Sequence, residues 1–257
     1  MNMTLSESLP FRSKAFLIHL AGSTLVFSIY LYLVFTRWYP EPYFTIENAV
    51  QVTMILICVG LVAGPVLTFL IYVPGKKGLK FDIVVIVSLQ LAFLSWGVWV
   101  TYSEHPVFAV FTIDQFRVKR VGNVDMSAIN PEVFRGQPQH GLRLTYTLPP
   151  QNQQDRSKLV KELMFGRGDI DVLTERYRAL QDHLDELRKQ SRNINKVLMM
   201  HPGIKADYEK LMKKLGGSAA DYIFLPIEAR KKTFTLLLKN SDASYAGFLA
   251  VDCWDAK

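Results

Sequence analysis

Cysteine is scarce in this chain of 257 residues, which contains only Cys58 and Cys253. Cys58 falls inside a long apolar run and Cys253 lies close to the C-terminus, so the two are expected in different phases and unpaired. Two separated thiols exclude the disulfide framework that stabilises many small secreted domains. The polar part of the chain must therefore fold around its own apolar core, and about 150 residues suffice for one.

Catalytic and metal-binding motifs are also missing. The sequence contains no nucleophile elbow, no zinc-protease helix motif, no paired-cysteine motif and no dinucleotide-binding fingerprint. The five histidines are scattered, and His183 with Glu186 has the spacing of a surface contact on a helix. These absences predict a protein that is not an enzyme and that has no cofactor and no metal site.

Charge is absent from three long apolar stretches near the N-terminus, which run from Ala15 to Thr36, Asn48 to Gly75 and Ile83 to Ser103. Each reaches the roughly 20 residues needed to cross about 30 Å of hydrocarbon. Because a helix satisfies its own backbone groups in lipid, they predict membrane helices at about residues 15–36, 49–73 and 82–102. We therefore expect a membrane anchor over residues 1–102 and a separate domain over residues 103–257.

Loop charges predict the orientation, because Lys and Arg resist translocation. Arg12 and Lys14 precede the first membrane helix, and Lys76, Lys77 and Lys80 lie between the second and the third. The N-terminus and this loop are expected in the cytoplasm. Three spans then place the C-terminal domain on the opposite face of the membrane, which in a bacterium is the periplasm. The aromatic run from Arg37 to Tyr43 is interpreted as an interfacial belt and favours a retained span over a cleaved signal peptide.

The C-terminal domain is predicted to be α+β. Short segments of alternating apolar residues at both of its ends predict strands, which we expect to form a small antiparallel sheet. Between them, apolar residues recur at steps of three and four from Ile170 to Leu198, which predicts a long amphipathic helix. Its apolar stripe either packs on the domain's own sheet or pairs with a partner helix or a second copy. Interleaved charges of both signs argue against nucleic-acid binding.

Polar and helix-breaking residues within the membrane helices are the better functional lead, because polar groups are costly in lipid. His19 and Asp82 either lie near the interface and join the helices to each other, or one of them meets a polar group on a partner's membrane helix. Gly64-Pro65 marks either a kink packed against a neighbour or a groove in which another helix lies. The candidate partner-binding residues are His19, Gly64, Pro65, Asp82 and, on the amphipathic stripe, Tyr177, Leu180 and Leu184.

Several strings in order resemble one known family. They are KAFLIHL at Lys14–Leu20, GPVLT at Gly64–Thr68, PGKKGLKFD at Pro74–Asp82, IDQFRV at Ile113–Val118 and YIFLPI at Tyr222–Ile227. Together they resemble the TfpX/TfpZ family of type IV pilin accessory proteins, which are encoded beside major pilins in Gram-negative bacteria. The resemblance is best from about Lys14 to Val118 and weaker through the helical middle of the domain.

The resemblance implies a non-enzymatic chaperone of the inner membrane that binds and stabilises its cognate major type IV pilin and promotes its assembly into pili. It supplies no catalytic residues and no cofactor. The implied partners are the pilin, membrane lipid and other pilus assembly proteins. Two other hypotheses stay open: a membrane-anchored periplasmic ligand sensor or regulator, which needs a deep apolar pocket, and a membrane transferase, which needs catalytic carboxylates near the spans.

The orientation can be tested with reporters. Alkaline phosphatase fused after Lys257 should be active and green fluorescent protein fused there should be dark, because the loop charges place this end outside the cytoplasm. The same reporters inserted after Lys77 should behave in the opposite way. Cytoplasmic activity alone at Lys257 would contradict the predicted orientation.

Overall fold

A computed structural model describes residues 5–47, 49–138, 141–166, 169–230 and 232–256. Asn48, at which the second uncharged stretch begins, lies outside these residues. The chain divides into two compact units. Met1–Trp38 and Ala49–Glu104 form one, which we call the membrane unit; Tyr39–Asn48 and His105–Lys257 form the other, which we call the domain.

The membrane unit contains three helices that are long and apolar enough to cross a membrane: Ser8–Trp38, Ala49–Ile71 and Leu79–Ser103. The first consists of α1 (Leu5–Leu33) and a π-helical end (Val34–Trp38). The second membrane helix consists of α3 (Ala49–Ile57), a π-helical segment (Cys58–Ala63) and α4 (Gly64–Ile71). The short helix α2 (Tyr43–Ile46) precedes it in the chain and belongs to the domain. The third is α5 (Leu79–Ser103). These helices confirm the prediction of three membrane-type helices followed by an α+β domain.

The π-helical segment of the second membrane helix directly precedes Gly64-Pro65. Because Pro65 has no backbone N–H, it cannot donate to the carbonyl of Leu61, and the wider turns accommodate this break in the hydrogen-bond ladder. Gly64, Pro65 and Thr68 are buried. The distortion is therefore packed against neighbouring helices, which is the first of the two interpretations offered by the sequence.

Glycines let the second membrane helix approach both of the others. A Cβ atom added at Gly60 would lie 1.9 Å from the ring of Phe27 on α1, and one added at Gly97 on α5 would lie 2.2 Å from Leu56 on α3. Such close approaches at small residues are a usual way to pack helices in lipid, where apolar burial gives little driving force. The second helix is consequently the central one, with α1 and α5 each packed on it.

The domain is built on a seven-stranded mixed sheet with strand order β4-β3-β1-β2-β5-β6-β7. The strands are β1 (Pro106–Thr112), β2 (Gln115–Arg120), β3 (Leu144–Thr147), β4 (Tyr177–Ala179), β5 (Tyr222–Glu228), β6 (Thr233–Lys239) and β7 (Tyr245–Leu249). The helices are α6 (Gln153–Met164), α7 (Leu184–Lys189), α8 (Ile194–Met200) and α9 (Lys205–Leu215). The sheet is larger than expected and not purely antiparallel, because long crossovers bring β3 beside β1 and β5 beside β2 in parallel.

The segment from Ile170 to Leu198 is not one long helix. It consists of 3₁₀ turns, strand β4 and the short helices α7 and α8. Pairing with β3 holds β4 extended, and the side chain of Asn193 caps a new helix by accepting from the backbone N–H groups of Asn195 and Lys196. Inward-facing residues of successive turns reproduce the spacing of a helical stripe, which is why the pattern wrongly predicted one long helix.

The stripe residues belong to the domain's interior. Tyr177 is 2% exposed and Leu180 is 3% exposed, and Leu184 is partly buried against the same core as Leu180. Of the two readings of the stripe, the structure shows packing within the domain. Pairing of these side chains with a partner helix is not compatible with this burial.

The loop between the first two membrane helices is part of the domain. Tyr43 is 1% exposed and Ile46 is 3% exposed, and both lie in the main core with Phe111 and Leu225. Tyr39, at 6% exposure, is buried as well. The interpretation of this aromatic run as an interfacial belt is therefore wrong for Tyr43, because the domain's core encloses it.

Glu47 fastens this loop to the sheet. Its side chain is 1% exposed, and its Oε2 accepts hydrogen bonds from Arg120 at 3.1 Å (Nε) and 2.7 Å (Nη2). The Oε1 atom accepts from the backbone N–H of Arg230 at 3.2 Å. Charge-assisted bonds of this kind, shielded from water, are stronger than neutral ones. Residues 39–47 are therefore held by apolar burial and by the ion pair between Glu47 and Arg120.

Replacing Glu47 by Gln should lower the free energy of unfolding of the domain by about 1.5–3 kcal/mol, because Arg120 loses its counter-charge in a nearly dry site. The matched control is Glu41→Gln in the same loop, where the carboxylate is exposed and the expected change is within about 0.5 kcal/mol. Thermal unfolding of the full-length protein in detergent, followed by tyrosine and tryptophan signals, measures both. Equal midpoints for the two variants would contradict the role of Glu47.

Candidate partner-binding groove in the membrane unit

An apolar cavity of about 650 Å³ lies between the first and third membrane helices. One wall is formed by residues of α1 from Phe11 to Phe27, and the other by residues of α5 from Ile83 to Leu94. At 1.5 Å per residue, the α1 wall is about 24 Å long. The cavity is thus a groove that runs through most of the roughly 30 Å hydrocarbon thickness. We call it the membrane groove.

The groove follows from how the helices pack. Because α1 and α5 each pack on the second membrane helix, Thr68 and Tyr72 of that region line the space between them. The walls are open to the surroundings: Ile18 on α1 is 65% exposed and Leu91 on α5 is 53% exposed. The groove therefore presents an apolar surface that lipid tails or another membrane helix can cover.

Four polar side chains lie along the base of the groove, one or two from each membrane helix. His19 Nδ1 is 2.6 Å from Thr68 Oγ1, and His19 Nε2 is 2.8 Å from Gln90 Oε1. Gln90 Nε2 donates to Ser23 Oγ at 3.1 Å and to the carbonyl oxygen of Gly60 at 2.7 Å. We call His19, Ser23, Thr68 and Gln90 the polar floor. It joins all three helices by hydrogen bonds.

The bond to Gly60 determines which way the protons of the polar floor point. A carbonyl can only accept, so the amide nitrogen of Gln90 must face Gly60 and the amide oxygen must face His19. In a neutral imidazole, Nε2 then carries the proton and donates it to Gln90. Nδ1 is left to accept from the hydroxyl of Thr68, so both ring nitrogens of His19 are used inside the bundle.

Gly64 makes room for this network. A Cβ atom at position 64 would lie 2.1 Å from Oε1 of Gln90, so any larger residue would displace the amide. Gly64 was a candidate partner-binding residue, and the structure gives it a contact within the membrane unit instead. Pro65 is likewise buried beside it.

Asp82 lies outside the polar floor. Its Oδ2 accepts from Nζ of Lys76 at 2.6 Å, and both side chains are partly exposed, at 28% and 45%. An exposed pair of this kind adds little stability. Asp82 lies in the first turn of α5, one residue before Ile83 of the groove wall, so the pair is near one end of the membrane groove. A role in partner binding stays a prediction for both His19 and Asp82.

Sequence reasoning did not select Ser23, Gln90 or Lys14, although all three line the groove. A signal was available for Ser23, which follows His19 by four residues and so shares its helix face. Gln90 is a polar residue in the middle of a membrane helix, which marks it as costly unless it is bonded. Its partners could not be identified, because they come from helices distant in sequence.

The domain carries a compact set of paired charges on its sheet. Arg117 contacts Asp169 (2.6 Å) and Glu228 (3.2 Å), and Lys119 contacts Asp171 (2.5 Å). Burial alone would raise the pKa of Asp169, but hydrogen bonds from the backbone of Ile170 and from Arg117 outweigh it and lower that pKa. Each carboxylate thus has a cationic partner, as expected of a structural ion-pair network.

Within the described residues, no three His, Cys, Asp or Glu side chains come together as metal ligands would. The candidate site is the membrane groove, whose described lining is mostly apolar and includes the polar floor and Lys14. Such an arrangement can hold a molecule and orient it.

Comparison with known proteins identifies the family. The fimbrial assembly protein FimB family matches residues 7–47. The fimbrial assembly protein of serogroup I from Dichelobacter nodosus is 24% identical over 251 residues, which cover 95% of this chain and 97% of the relative. The fimbrial assembly protein of serogroups C1 and C2 from the same organism is 30% identical over 116 residues, which cover 44% of this chain and 88% of the relative. This chain belongs to the fimbrial assembly protein family.

The FimB match includes the whole α1 wall of the membrane groove and Glu47. A second relative, the serogroup E1 protein of Dichelobacter nodosus, is 23% identical and covers 95% of the chain, so the likeness to fimbrial assembly proteins extends through both units. No solved structure matches the chain. The narrower resemblance to the TfpX/TfpZ family stays a prediction.

Replacing Gln90 by Leu should destabilise the membrane unit by about 1–2 kcal/mol, because it removes the hydrogen bonds that join the three helices. Ser88→Leu is the matched control, since it also removes a polar group from α5 but at an exposed position. Unfolding of the purified protein by sodium dodecyl sulfate in mixed micelles measures the difference. If both variants unfold like the wild type, the polar floor does not hold the helices together.

Proposed function

We propose that this fimbrial assembly protein is a non-enzymatic chaperone of the bacterial inner membrane. It binds and stabilises a major type IV pilin and promotes the assembly of that pilin into pili. The membrane groove carries the proposal, because it is an open, apolar site of the length of a membrane helix. The names of the relatives support the setting in fimbrial biogenesis, and the TfpX/TfpZ resemblance supports the pilin as the client.

The shape of the groove favours a helix over a small ligand. Its α1 wall, from Phe11 to Phe27, is about 24 Å long, whereas small-molecule sites enclose most of their ligand. Exposed side chains such as Ile18 and Leu91 keep the groove open along one side. A single apolar helix laid between α1 and α5 would cover these side chains without unfolding any part of the membrane unit.

A positive charge beside the groove is the proposed contact for one end of such a helix. Lys14 lines the groove on the N-terminal side of His19, and the two lie five residues apart, or about 7.5 Å along α1. The TfpX/TfpZ resemblance implies a pilin client, whose membrane helix is expected to carry a carboxylate near its start. Because Thr68 and Gln90 occupy both ring nitrogens of His19, we propose Lys14 as the counter-charge and His19 as part of the base on which the helix rests.

The proposed topology places the N-terminus in the cytoplasm and the domain in the periplasm. It requires loop 39–48 and residues 105–257 to share one side of the membrane. Their inclusion in a single compact unit, with Glu47 bound to Arg120, supports this requirement. A pilin with one membrane helix and a periplasmic head would then meet the membrane groove with its helix and the domain with its head.

The ligand-sensor hypothesis is less well supported. The apolar cavity described above lies between membrane helices, whereas a cavity of about 430 Å³ in the domain is lined by charged residues that include Glu132, Arg135 and Asp182. The transferase hypothesis needs catalytic carboxylates near the spans, and the described residues that line the groove include no Asp or Glu. We therefore keep the chaperone as the proposed function.

Filling the groove should weaken pilin binding without lowering the stability of the protein. A Cβ atom at Gly22 has open space around it, and Gly22 lines the groove, so Gly22→Phe projects a ring into the space meant for the client helix. Co-purification of the cognate pilin should fall at least fivefold, which corresponds to about 1 kcal/mol of overpacking. The control, Leu25→Phe, adds a ring at a position that is 66% exposed and outside the groove.

Both variants should be purified at equal expression and compared by detergent-solubilised pull-down. Unchanged pilin recovery with Gly22→Phe would show that the helix does not lie in the groove. An equal loss with Leu25→Phe would contradict the proposed position as well. His19→Leu should reduce recovery only as far as it destabilises the polar floor, whereas Lys14→Gln should reduce it in a fully stable protein.

A further inference from the structure

The turn between β1 and β2 contains a side chain that the fold does not explain. Thr112 pairs with Gln115, so only Ile113 and Asp114 form the loop of this hairpin. Ile113 has φ +47°, in the left-handed region that branched residues strongly disfavour. Tight hairpins that need one such residue at this position usually have glycine there. A branched aliphatic residue in this conformation is therefore a local conflict between sequence and backbone.

Packing does not compensate for this strain. The side chain of Ile113 is 80% exposed, so it contributes almost nothing to the domain's core. Backbone strain that persists at an exposed position is a pointer to function, because stability alone would replace the residue. The side chain is better explained by a contact outside the domain than by one within it.

The turn is held in place by a buried cation. The side chain of Arg192 is 1% exposed, and its Nη2 lies 3.5 Å from Oδ2 and 3.4 Å from the carbonyl oxygen of Asp114. Its guanidinium also lies over the ring of Trp254, 5.6 Å from the centroid. The backbone N–H of Arg192 donates to Phe224 of the sheet at 2.7 Å. Ile113 is thus an exposed apolar side chain at the tip of a hairpin that Arg192 holds in place.

The residues around Ile113 indicate the kind of surface that its side chain can contact. Asp114 follows it directly, and the neighbouring turn positions are polar, so insertion into lipid would carry a carboxylate toward the bilayer. One aliphatic side chain ringed by polar groups fits a shallow apolar socket on a folded protein, where a buried anchor is surrounded by a polar rim.

We propose that the Ile113 hairpin tip is the contact of the domain with the folded head of the pilin, inserting one aliphatic side chain into an apolar socket on that head. This inference rests on the proposed function, which supplies the client. It adds a second attachment point, independent of the membrane groove. Two linked attachments to one client raise the overall affinity above that of either alone.

The test separates the two attachments. Full-length pilin and a chimera, in which an unrelated soluble domain replaces the pilin head, are each captured on the full-length protein in detergent. Ile113→Gly should reduce capture of the full-length pilin at least fivefold and leave capture of the chimera unchanged. Gly22→Phe should reduce capture of both. Phe165→Ser, which removes an exposed apolar side chain elsewhere on the domain (85% exposed), should change neither.

Stability provides the second measurement. Ile113→Gly should raise the melting temperature by about 2–4 °C, because it relieves the strain. A lower melting temperature would show that Ile113 is structural and would overturn the proposal. Unchanged capture of full-length pilin by Ile113→Gly, or an equal loss for the chimera, would overturn the proposal too. So would a variant whose oligomeric state changes while its capture of pilin does not. Failure of Gly22→Phe to affect either client would instead overturn the groove.

Discussion

The central constraint on this protein is that polar groups in lipid must find their partners within the protein. Gln90 meets this constraint for the membrane unit: its amide oxygen faces His19, and its amide nitrogen donates to Ser23 and to Gly60. Because water is absent at this depth, leaving any of these groups unbonded would be costly. The three helices are therefore held in one arrangement, and the membrane groove exists only in that arrangement.

The same arrangement explains why the groove stays open. Both outer helices pack on the second helix at glycine contacts, such as Gly60 against Phe27 and Gly97 against Leu56. With the polar groups satisfied beneath it, the exposed lining of the groove is almost entirely apolar and can be covered by lipid or by a protein helix at similar cost. In the proposed function, a client helix is distinguished from lipid by its shape and by a charge at its end, to which Lys14 is the proposed counter-charge. This is the behaviour expected of a holding site.

The domain is linked to the anchor by more than one chain connection. Loop 39–48 contributes Tyr43 and Ile46 to the domain's core, and Glu47 binds Arg120. The chain passes between the two units three times, at residues 38–39, 48–49 and 104–105. In the proposed function, holding both the helix and the head of one client raises the overall affinity, because the two contacts belong to one chain.

The sequence by itself determined the number of membrane helices and the α+β class of the domain that follows them, because each depends on composition or on local periodicity. Only the tertiary structure decided that Tyr177 and Leu180 lie in the core, that Tyr43 belongs to the domain, and that His19 is bonded to Thr68 and Gln90. These outcomes depend on pairing between segments far apart in the chain: β3 holds β4 extended, and three separate helices complete the polar floor. Spacing along one segment carries no information about such partners, since the same three-and-four periodicity suits a helix and a series of turns that face one core.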